Sequence, residues 1–281
     1  MKVILSRKGC DSAFGGIPSV ILPDGKIINV PIPGEDSELI TYGDINYGNN
    51  IGRLSDLISE LSSYIRLNGE KYLVTEKTKC HMDPDINGDV YPRDVMWKGC
   101  FGQIGAAQTV LSKSKVEKGD LFLFFGWFNR TYYKNNSLHY CKGEGFHMIY
   151  GWLQIEEIIY THQMQIPYWL KYHPHANKEK IQNKSNCIYV GKTNLTWNEE
   201  IRGYGVFNNY DESLVLTKEG MSRSRWRLPD SFKGIPITYH SEKSWKDDYF
   251  QSACRGQEFV FQDNPFVEDW ARDIIGKNVS W

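Results

Sequence analysis

The distribution of apolar and polar residues predicts several short strands and a few helices. Residues 121–128 form the longest apolar run and contain no polar side chain, which predicts a strand buried on both faces. A second apolar run covers residues 147–159, and shorter runs at 2–5 and 187–190 also have the length of strands. These runs predict that strands dominate the fold.

Three segments have features of helices. Residues 54–64 carry apolar side chains at helical spacing, residues 102–112 are rich in small residues, and residues 265–275 are a further candidate. Residues 23–26 read Pro-Asp-Gly-Lys between two apolar runs, which predicts a hairpin because Asp-Gly tolerates positive φ. Strands mixed with a few helices predict an α+β fold with a mixed or antiparallel sheet, in a single compact domain over residues 1–281.

The composition excludes several classes of protein. The 281 residues include 33 basic and 34 acidic side chains, 41% are hydrophobic, and 25 are Gly and 11 are Pro. A disordered chain would carry fewer apolar residues and a larger net charge, and a collagen-like chain would carry more Gly and Pro. A protein that coats nucleic acid normally has a basic surplus, whereas the net charge here is -1.

Other patterns concern the cellular location. No apolar run reaches the roughly 18–20 residues of a membrane helix. A secretory signal begins with a basic end, whereas the N-terminal apolar run here turns basic after it. The six cysteines are widely spaced and include no Cys-x-x-Cys pair. We therefore expect a cytoplasmic protein with free thiols and no membrane partner.

The central segment, residues 116–160, resembles the strand pair of PUA-like barrels, the relatives of EVE, ASCH and YTH domains. A Gly-Asp turn leads into an aromatic strand, and the partner strand carries Gly151, which would allow a bend or bulge. In such a barrel Trp127 and Trp152 would belong to a wall that stacks a base. The alternative is a buried hairpin of an ordinary α+β core, in which the aromatic residues only fill space.

The loop after the first predicted strand is one candidate ligand site. Its glycine amides, hydroxyls and charges suit a phosphate, because the backbone N–H groups of such a loop can converge on an anion. It matches neither the Walker P-loop nor the dinucleotide fingerprint. The alternative is a structural turn in which side chains bond nearby amides. The candidate residues are Lys8, Asp11, Ser12, Gly15, Gly16 and Ser19.

Residues 81–85, His-Met-Asp-Pro-Asp, are a second candidate. An imidazole and two carboxylates within five residues suit a divalent metal ion or acid–base catalysis. Pro84 disfavours a helix at Asp83, and in an extended segment His81, Asp83 and Asp85 would share one face. The alternative is an Asx-turn in a loop. A divalent metal is therefore a candidate cofactor.

The remaining candidates are spread over the rest of the chain. His173 and His175 alternate and would suit a metal, with a surface loop as the alternative. Arginines around Trp226 would clamp a phosphate and stack a base. Two glutamines would read the edge of a base or be solvated, and a late Arg and Glu would form an ion pair. These candidates are Gln103, Gln108, Arg223, Arg225, Arg255 and Glu258.

Several strings together resemble the nucleotide modification associated domain 3 family. They are Ser6-Arg7-Lys8-Gly9-x-Asp11-Ser12, Gly15-Gly16-x-Pro18-Ser19, His81-x-Asp83-Pro84-Asp85, Gly102-Gln103-x-Gly105-Ala106-Ala107-Gln108, Gly119-Asp120-Leu121-Phe122-x-Phe124-Phe125-Gly126-Trp127-Phe128, His173-Pro174-His175 and Arg255-Gly256-Gln257-Glu258-Phe259-Val260. Cys10 and Val20 stand where an aromatic residue and a proline are expected. The resemblance implies pathways that modify DNA bases or nucleotides, often in phage or mobile-element settings. It implies no particular reaction.

Two functions follow as hypotheses. The first is an enzyme that acts on a nucleotide or modified base, with other proteins of a DNA-modification pathway as partners. Its catalytic residues would be Asp11, His81, Asp83, Asp85 and Glu258. Its ligand would be bound by Lys8, Ser12, Gly15, Gly16, Ser19, Gln103, Gln108, Trp127, Trp152, Arg223, Arg225 and Arg255. The second is a PUA-like reader that binds a base without chemistry, and a scaffold in a modification complex is a third option. The enzyme requires Asp11, His81, Asp83 and Arg255 to line one cleft.

Overall fold

A curled mixed sheet of ten strands forms the centre of the fold. The computed structural model describes residues 1–47, 51–62, 64–67 and 69–279. The ten strands are β1 (Val3–Arg7), β2 (Ser19–Ile21), β3 (Ile27–Ile28), β4 (Cys100–Gln103), β5 (Leu121–Lys134), β6 (Ser137–Tyr140), β7 (Phe146–Tyr160), β8 (Cys187–Gly191), β9 (Tyr204–Val206) and β10 (Glu258–Val260). The main path runs β4-β8-β7-β5-β1-β10, while β2 and β6 pair with β5, β3 pairs with β2, and β9 pairs with β7.

Helices and short strand pairs surround this sheet. The helices are α1 (Leu54–Leu61), α2 (Gly105–Lys113) and α3 (Pro265–Asn278). The short pairs are Ile32–Pro33 with Cys80–His81, Asn46–Tyr47 with Gly52–Arg53, Ile65–Leu67 with Glu70–Tyr72, Asn194–Leu195 with Asn198–Arg202, and Arg225–Trp226 with Phe250–Gln251. The helix predicted over residues 54–64 includes residue 63, which lies outside the described residues. Within the described residues, no helix combines the length and apolarity that spanning a membrane requires.

The long hairpin of β5 and β7 explains why residues 121–128 are apolar at every position. Leu121 to Phe125 are fully buried, because one face of β5 lines the inside of the curl and the other packs against the C-terminal part of the chain. Gly151 pairs with Phe124 and Ile149 pairs with Phe125. Tyr150 is therefore an extra residue in β7, which is a β-bulge next to the predicted glycine.

The curl brings the two ends of the main path together. Gln103 on β4 donates a hydrogen bond from Nε2 to Oε1 of Glu258 on β10, over 2.7 Å. Aromatic rings fill the inside: Phe101 lies 5.0 Å from Phe122 and 5.2 Å from Phe124 between ring centroids. The predicted α+β class and mixed sheet are confirmed. The PUA-like identity of the barrel-like core stays a prediction.

Candidate functional site

The segment of residues 81–86 lies beside β4 and places the side chains of His81 and Asp83 in a largely buried cluster. The backbone of Asp85 exchanges two 2.8 Å hydrogen bonds with Cys100, which aligns the segment with the strand. Two residues earlier, Oδ1 of Asp83 accepts a 2.8 Å hydrogen bond from the Gly102 N–H. His81 and Asp83 therefore point to one side, as the extended geometry predicts.

Two further histidines approach Asp83 from the single helical turn Pro174–Ala176 and the residue before it. Nε2 of His173 lies 3.3 Å from Asp83 Oδ1, and Nε2 of His175 lies 3.8 Å from Asp83 Oδ2. A Cβ atom on Gly102 would lie 2.3 Å from the His175 ring, so only glycine permits this approach. We call His81, Asp83, His173 and His175 the polar centre.

Hydrogen bonds on the far side of each ring fix the imidazoles of the polar centre. His81 Nδ1 lies 2.8 Å from Glu38 Oε1, and His175 Nδ1 lies 2.6 Å from Asn186 Oδ1. His173 Nδ1 accepts a 3.2 Å hydrogen bond from the His175 backbone N–H. Nε2 of each ring is thus left free of these bonds. One ligand atom each of His81, Asp83 and His175 lie within 4.8 Å of one another, so these residues could hold a metal ion.

The polar centre carries one ionised carboxylate at neutral pH. Burial alone would raise the pKa of Asp83, but the hydrogen bond from His173 and the charges of the surrounding imidazoles hold that pKa well below its usual range. Burial lowers the pKa of His175 to about 3, although Asp83 opposes this shift, so His175 is neutral. A neutral imidazole and a carboxylate are both able to donate an electron pair.

A second buried group lies inside the curl, beside the polar centre. Lys8 Nζ lies 2.8 Å from Glu258 Oε1 and 4.6 Å above the Phe101 ring. Glu258 is fully buried, and its Oε2 has no hydrogen-bond partner among the described residues. Leaving a buried polar atom without a partner costs about 1–3 kcal/mol. Such an oxygen can accept a hydrogen bond from a ligand or from water.

Strand β4 connects the two groups. Gly102 binds Asp83, and the next residue, Gln103, binds Glu258. Tyr150, the bulge residue of β7, has a buried hydroxyl without a partner among the described residues. Burial raises the pKa of Tyr150, and the charge of Asp83 raises it further. The polar centre and the Lys8–Glu258 pair therefore contact neighbouring residues of β4, and we call these groups, together with Tyr150, the polar end of the curled sheet.

A scan against protein-family models identifies the family. The model described as "Nucleotide modification associated domain 3" matches residues 2–262 of the 281. The chain belongs to this family. The resemblance seen in the sequence is thereby confirmed, and the family description associates the chain with nucleotide modification. Searches of curated proteins and of solved structures found no match.

In this nucleotide modification associated domain 3 chain, the structure places the predicted residues in several locations. It brings Lys8, Gln103 and Glu258 together and joins His81 to Asp83. Asp85 points elsewhere, because both of its oxygens accept hydrogen bonds from Arg93 and its Oδ2 also accepts from the Trp97 indole. Gln108 accepts a 2.9 Å hydrogen bond from the Tyr189 hydroxyl. The side chains of Asp85 and Gln108 are therefore hydrogen-bonded within the protein.

The Gly-rich loop is bonded to itself and to its neighbours. Oδ1 of Asp11 accepts hydrogen bonds from the N–H groups of Ala13 and Phe14, both over 2.7 Å. The N–H of Gly15 donates to the Arg66 carbonyl, and that of Gly16 donates to the Asp11 carbonyl. The hydroxyl of Ser19 accepts from Val30 N–H and donates to Asn29. These amides are therefore engaged within the protein.

The three predicted arginines lie outside the polar centre, and Arg223 is the one that contacts Trp127. Arg223 donates to the Ser12 hydroxyl over 2.9 Å, and its guanidinium lies 4.1 Å from the centroid of Trp127. Arg225 is exposed beside Tyr249, and Arg255 is exposed in the turn before β10. Among the described residues, neither Asp11 nor Arg255 makes a hydrogen bond or ion pair with the polar centre, and Glu258 pairs with Lys8 instead of with Arg255.

Sequence reasoning missed Glu38, Asn186 and Tyr150. The first two orient imidazoles, and each lies in a polar stretch without a recognisable motif. Tyr150 carries a signal only in retrospect, since it precedes the glycine that was predicted to mark a bulge.

A cavity of about 580 Å³ lies on the other side of residues 81–86. The even-numbered side chains Met82, Pro84 and Ile86 form part of its wall, together with Tyr150 and Trp152. Its polar lining includes five asparagines, Asn29, Asn46, Asn87, Asn208 and Asn209. The alternation of an extended segment thus separates the polar centre from this cavity.

Proposed function

We propose that this chain is an enzyme that modifies a nucleotide or a nucleic-acid base at the polar end of the curled sheet. One observation carries the proposal. Buried titratable groups from distant parts of the chain contact neighbouring residues of β4 there, and Glu258 Oε2 and the Tyr150 hydroxyl have no partner among the described residues. Most buried polar atoms in proteins are hydrogen-bonded, so an unpaired carboxylate oxygen and an unpaired hydroxyl among buried titratable groups favour a site that binds a ligand.

The residues of this site divide the work by charge. The Lys8 ammonium, already held by Glu258, supplies a positive charge for a phosphate or a developing anion. Asp83 is ionised and can hold a cation or accept a hydrogen bond, and Tyr150, whose pKa burial raises, stays protonated and can donate a hydrogen bond to a substrate oxygen. His81 retains 17% of its side-chain exposure and connects the centre to solvent.

An assay of nucleotide composition tests this proposal. The purified protein is incubated with nucleotides and with DNA, and the nucleosides are analysed by mass spectrometry. We expect Asp83→Asn and Glu258→Gln each to reduce turnover by about 100-fold or more, because each removes a charge that would stabilise the transition state. Asp211→Asn is the matched control, because Asp211 is exposed and only caps a turn. Full activity in both folded site variants would refute the proposal.

A reader without chemistry is the second candidate function, and the cavity beside Trp152 favours it. A volume of about 580 Å³ with amide groups in its wall suits a base or nucleoside. Asn208→Trp at the exposed rim would narrow the entrance. Calorimetry with nucleosides then distinguishes the reader from the enzyme. A reader loses nucleoside binding in this variant and shows no turnover, whereas the turnover of an enzyme depends on Asp83.

The wider setting belongs to the same proposal. We infer a cytoplasmic protein of a DNA-modification system, of the kind that phages carry, whose core is related to PUA-like barrels. The family description and the curled sheet support this inference. Capture of other proteins of such a pathway by the tagged chain, from cells that hold the system, is the corresponding test.

A further inference from the structure

Three side chains of the polar centre have the spacing of metal ligands. Ligand atoms of His81, Asp83 and His175 lie within 4.8 Å of one another, and the pair between His175 Nε2 and Asp83 Oδ2 is 3.8 Å apart. Bonds of about 2.0–2.1 Å around a tetrahedral ion place ligand atoms about 3.4 Å apart. Small rotations of the side chains would therefore close the set around an ion.

The surroundings fix each of these side chains and leave one atom for a ligand. Glu38 binds Nδ1 of His81 and is itself held by Lys180, whose Nζ lies 3.3 Å away. Asn186 binds Nδ1 of His175. This is the arrangement of metal-ligating histidines, whose second nitrogen donates to a carboxylate or an amide oxygen.

The two oxygens of Asp83 also differ in role, because one is bonded within the protein and the other is open to a ligand. Its Oδ1 accepts from the Gly102 N–H and faces Nε2 of His173 at 3.3 Å. Its Oδ2 faces His175 and is the oxygen left for an ion. Because Nδ1 of His173 accepts a hydrogen bond from the His175 N–H, Nε2 is the nitrogen that carries a proton toward Asp83. His173 is therefore a positioning residue.

We propose that His81, Asp83 and His175 bind a divalent first-row transition-metal ion, with the remaining coordination positions open. Two imidazoles and one carboxylate suit zinc, iron, cobalt and related ions, whereas magnesium and calcium prefer oxygen ligands. Three protein ligands are typical of catalytic metal sites, and the partial exposure of His81 gives an ion access from solvent. This inference adds a Lewis acid to the proposed function, but it rests on the geometry alone.

Cobalt binding tests the site without an activity assay. The full chain is treated with a chelator, dialysed and titrated with Co²⁺, and the visible absorption of the bound ion is recorded. Calorimetry with Zn²⁺ gives a second affinity. We expect one ion per chain. His81→Ala should weaken binding at least 100-fold, and Glu38→Gln, which only removes the support of His81, should weaken it about 10–100-fold.

His139→Ala is the matched control, since His139 is exposed on β6 and lies outside the polar centre. Circular dichroism melts verify that each variant is folded, and His81 and Glu38 give two independent positions. Absence of binding by the unaltered chain, or equal affinities in His81→Ala and His139→Ala, would overturn the inference. If the chain binds an ion but modifies no nucleotide, the proposed function is refuted and the metal site is not. If turnover continues after the ion is removed, a catalytic role of the metal is refuted.

Discussion

At the scale of single residues, the environment decides what each titratable group does. Asp83 and Asp85 are two positions apart and both buried, yet Arg93 satisfies Asp85 while imidazoles surround Asp83. Glu258 retains an oxygen without a partner among the described residues, although Lys8 and Gln103 bind its other oxygen. We therefore expect substitution of Asp83 or Glu258 to affect activity, and substitution of Asp85 to affect the stability of the fold.

His147 gives a prediction about pH at this scale. Burial, with smaller contributions from the charges of Arg7 and Arg223, lowers the pKa of His147 from 6.5 to about 3. Between these values the unfolded chain binds a proton that the folded chain does not, so acidification favours unfolding. The stability is fully present above pH 6.5 and declines toward pH 3. At pH 5 the loss is about 2 kcal/mol.

The variant His147→Asn removes this titration and keeps an acceptor for the Trp226 indole, which donates to His147 Nδ1 over 3.1 Å. Urea unfolding at pH 7 and pH 5 is compared between the unaltered chain, this variant and His139→Asn, an exposed histidine. We expect the stability of His147→Asn to fall less between the two pH values. Identical slopes in all three proteins would contradict the assignment.

At the scale of elements, much of the fold could be predicted because local patterns set it. The apolar runs predicted β5, β7 and β8, and the helical spacing predicted α1. The curl was beyond reach, since it depends on which distant strands pair, such as β1 alongside β5 and the contact of Gln103 with Glu258. For the same reason the sequence indicated His81 and Asp83 but not Glu38.

Gly102 provides the prediction for an element. The turn of residues 173–176 approaches β4 only because this position lacks a side chain, and an added Cβ would lie 2.3 Å from the His175 ring. Gly102→Ala should destabilise the fold by about 1–3 kcal/mol, the usual cost of overpacking. It should also displace His175 from Asp83 and weaken Co²⁺ binding.

The matched control is Gly276→Ala in α3, where an added Cβ meets no atom within 4 Å among the described residues. That substitution should stabilise the helix by about 0.5–1 kcal/mol. Urea unfolding and cobalt titration measure both effects. Unchanged stability and metal affinity in Gly102→Ala would show that the turn does not depend on this glycine.

At the scale of the whole molecule, the predicted single domain has to unite its two larger buried apolar clusters. One surrounds β5 and β7, and the other gathers side chains of the first 82 residues with Leu138. Strand β5 connects the two, because its first half pairs with β1 and β7 and its second half pairs with β2 and β6, which carry Val20 and Leu138 of the second cluster. A shared central strand favours one cooperative unit.

The distribution of tryptophan makes this prediction testable. All nine tryptophans lie at position 97 or later, so their fluorescence reports on the part of the chain that follows the first 82 residues. Leu57 on α1 is 1% exposed and belongs to the cluster formed by the first 82 residues and Leu138. If the chain unfolds as one unit, Leu57→Ala should shift the fluorescence midpoint by the equivalent of about 2–5 kcal/mol. Leu73→Ala, at a side chain that is 72% exposed, should leave it unchanged. The contrary result would be a fluorescence midpoint that Leu57→Ala does not shift, with an earlier loss of structure detected by circular dichroism. That result would divide the molecule into two domains. The polar centre would then lie at their boundary, because its residues come from 81–83 and 173–175.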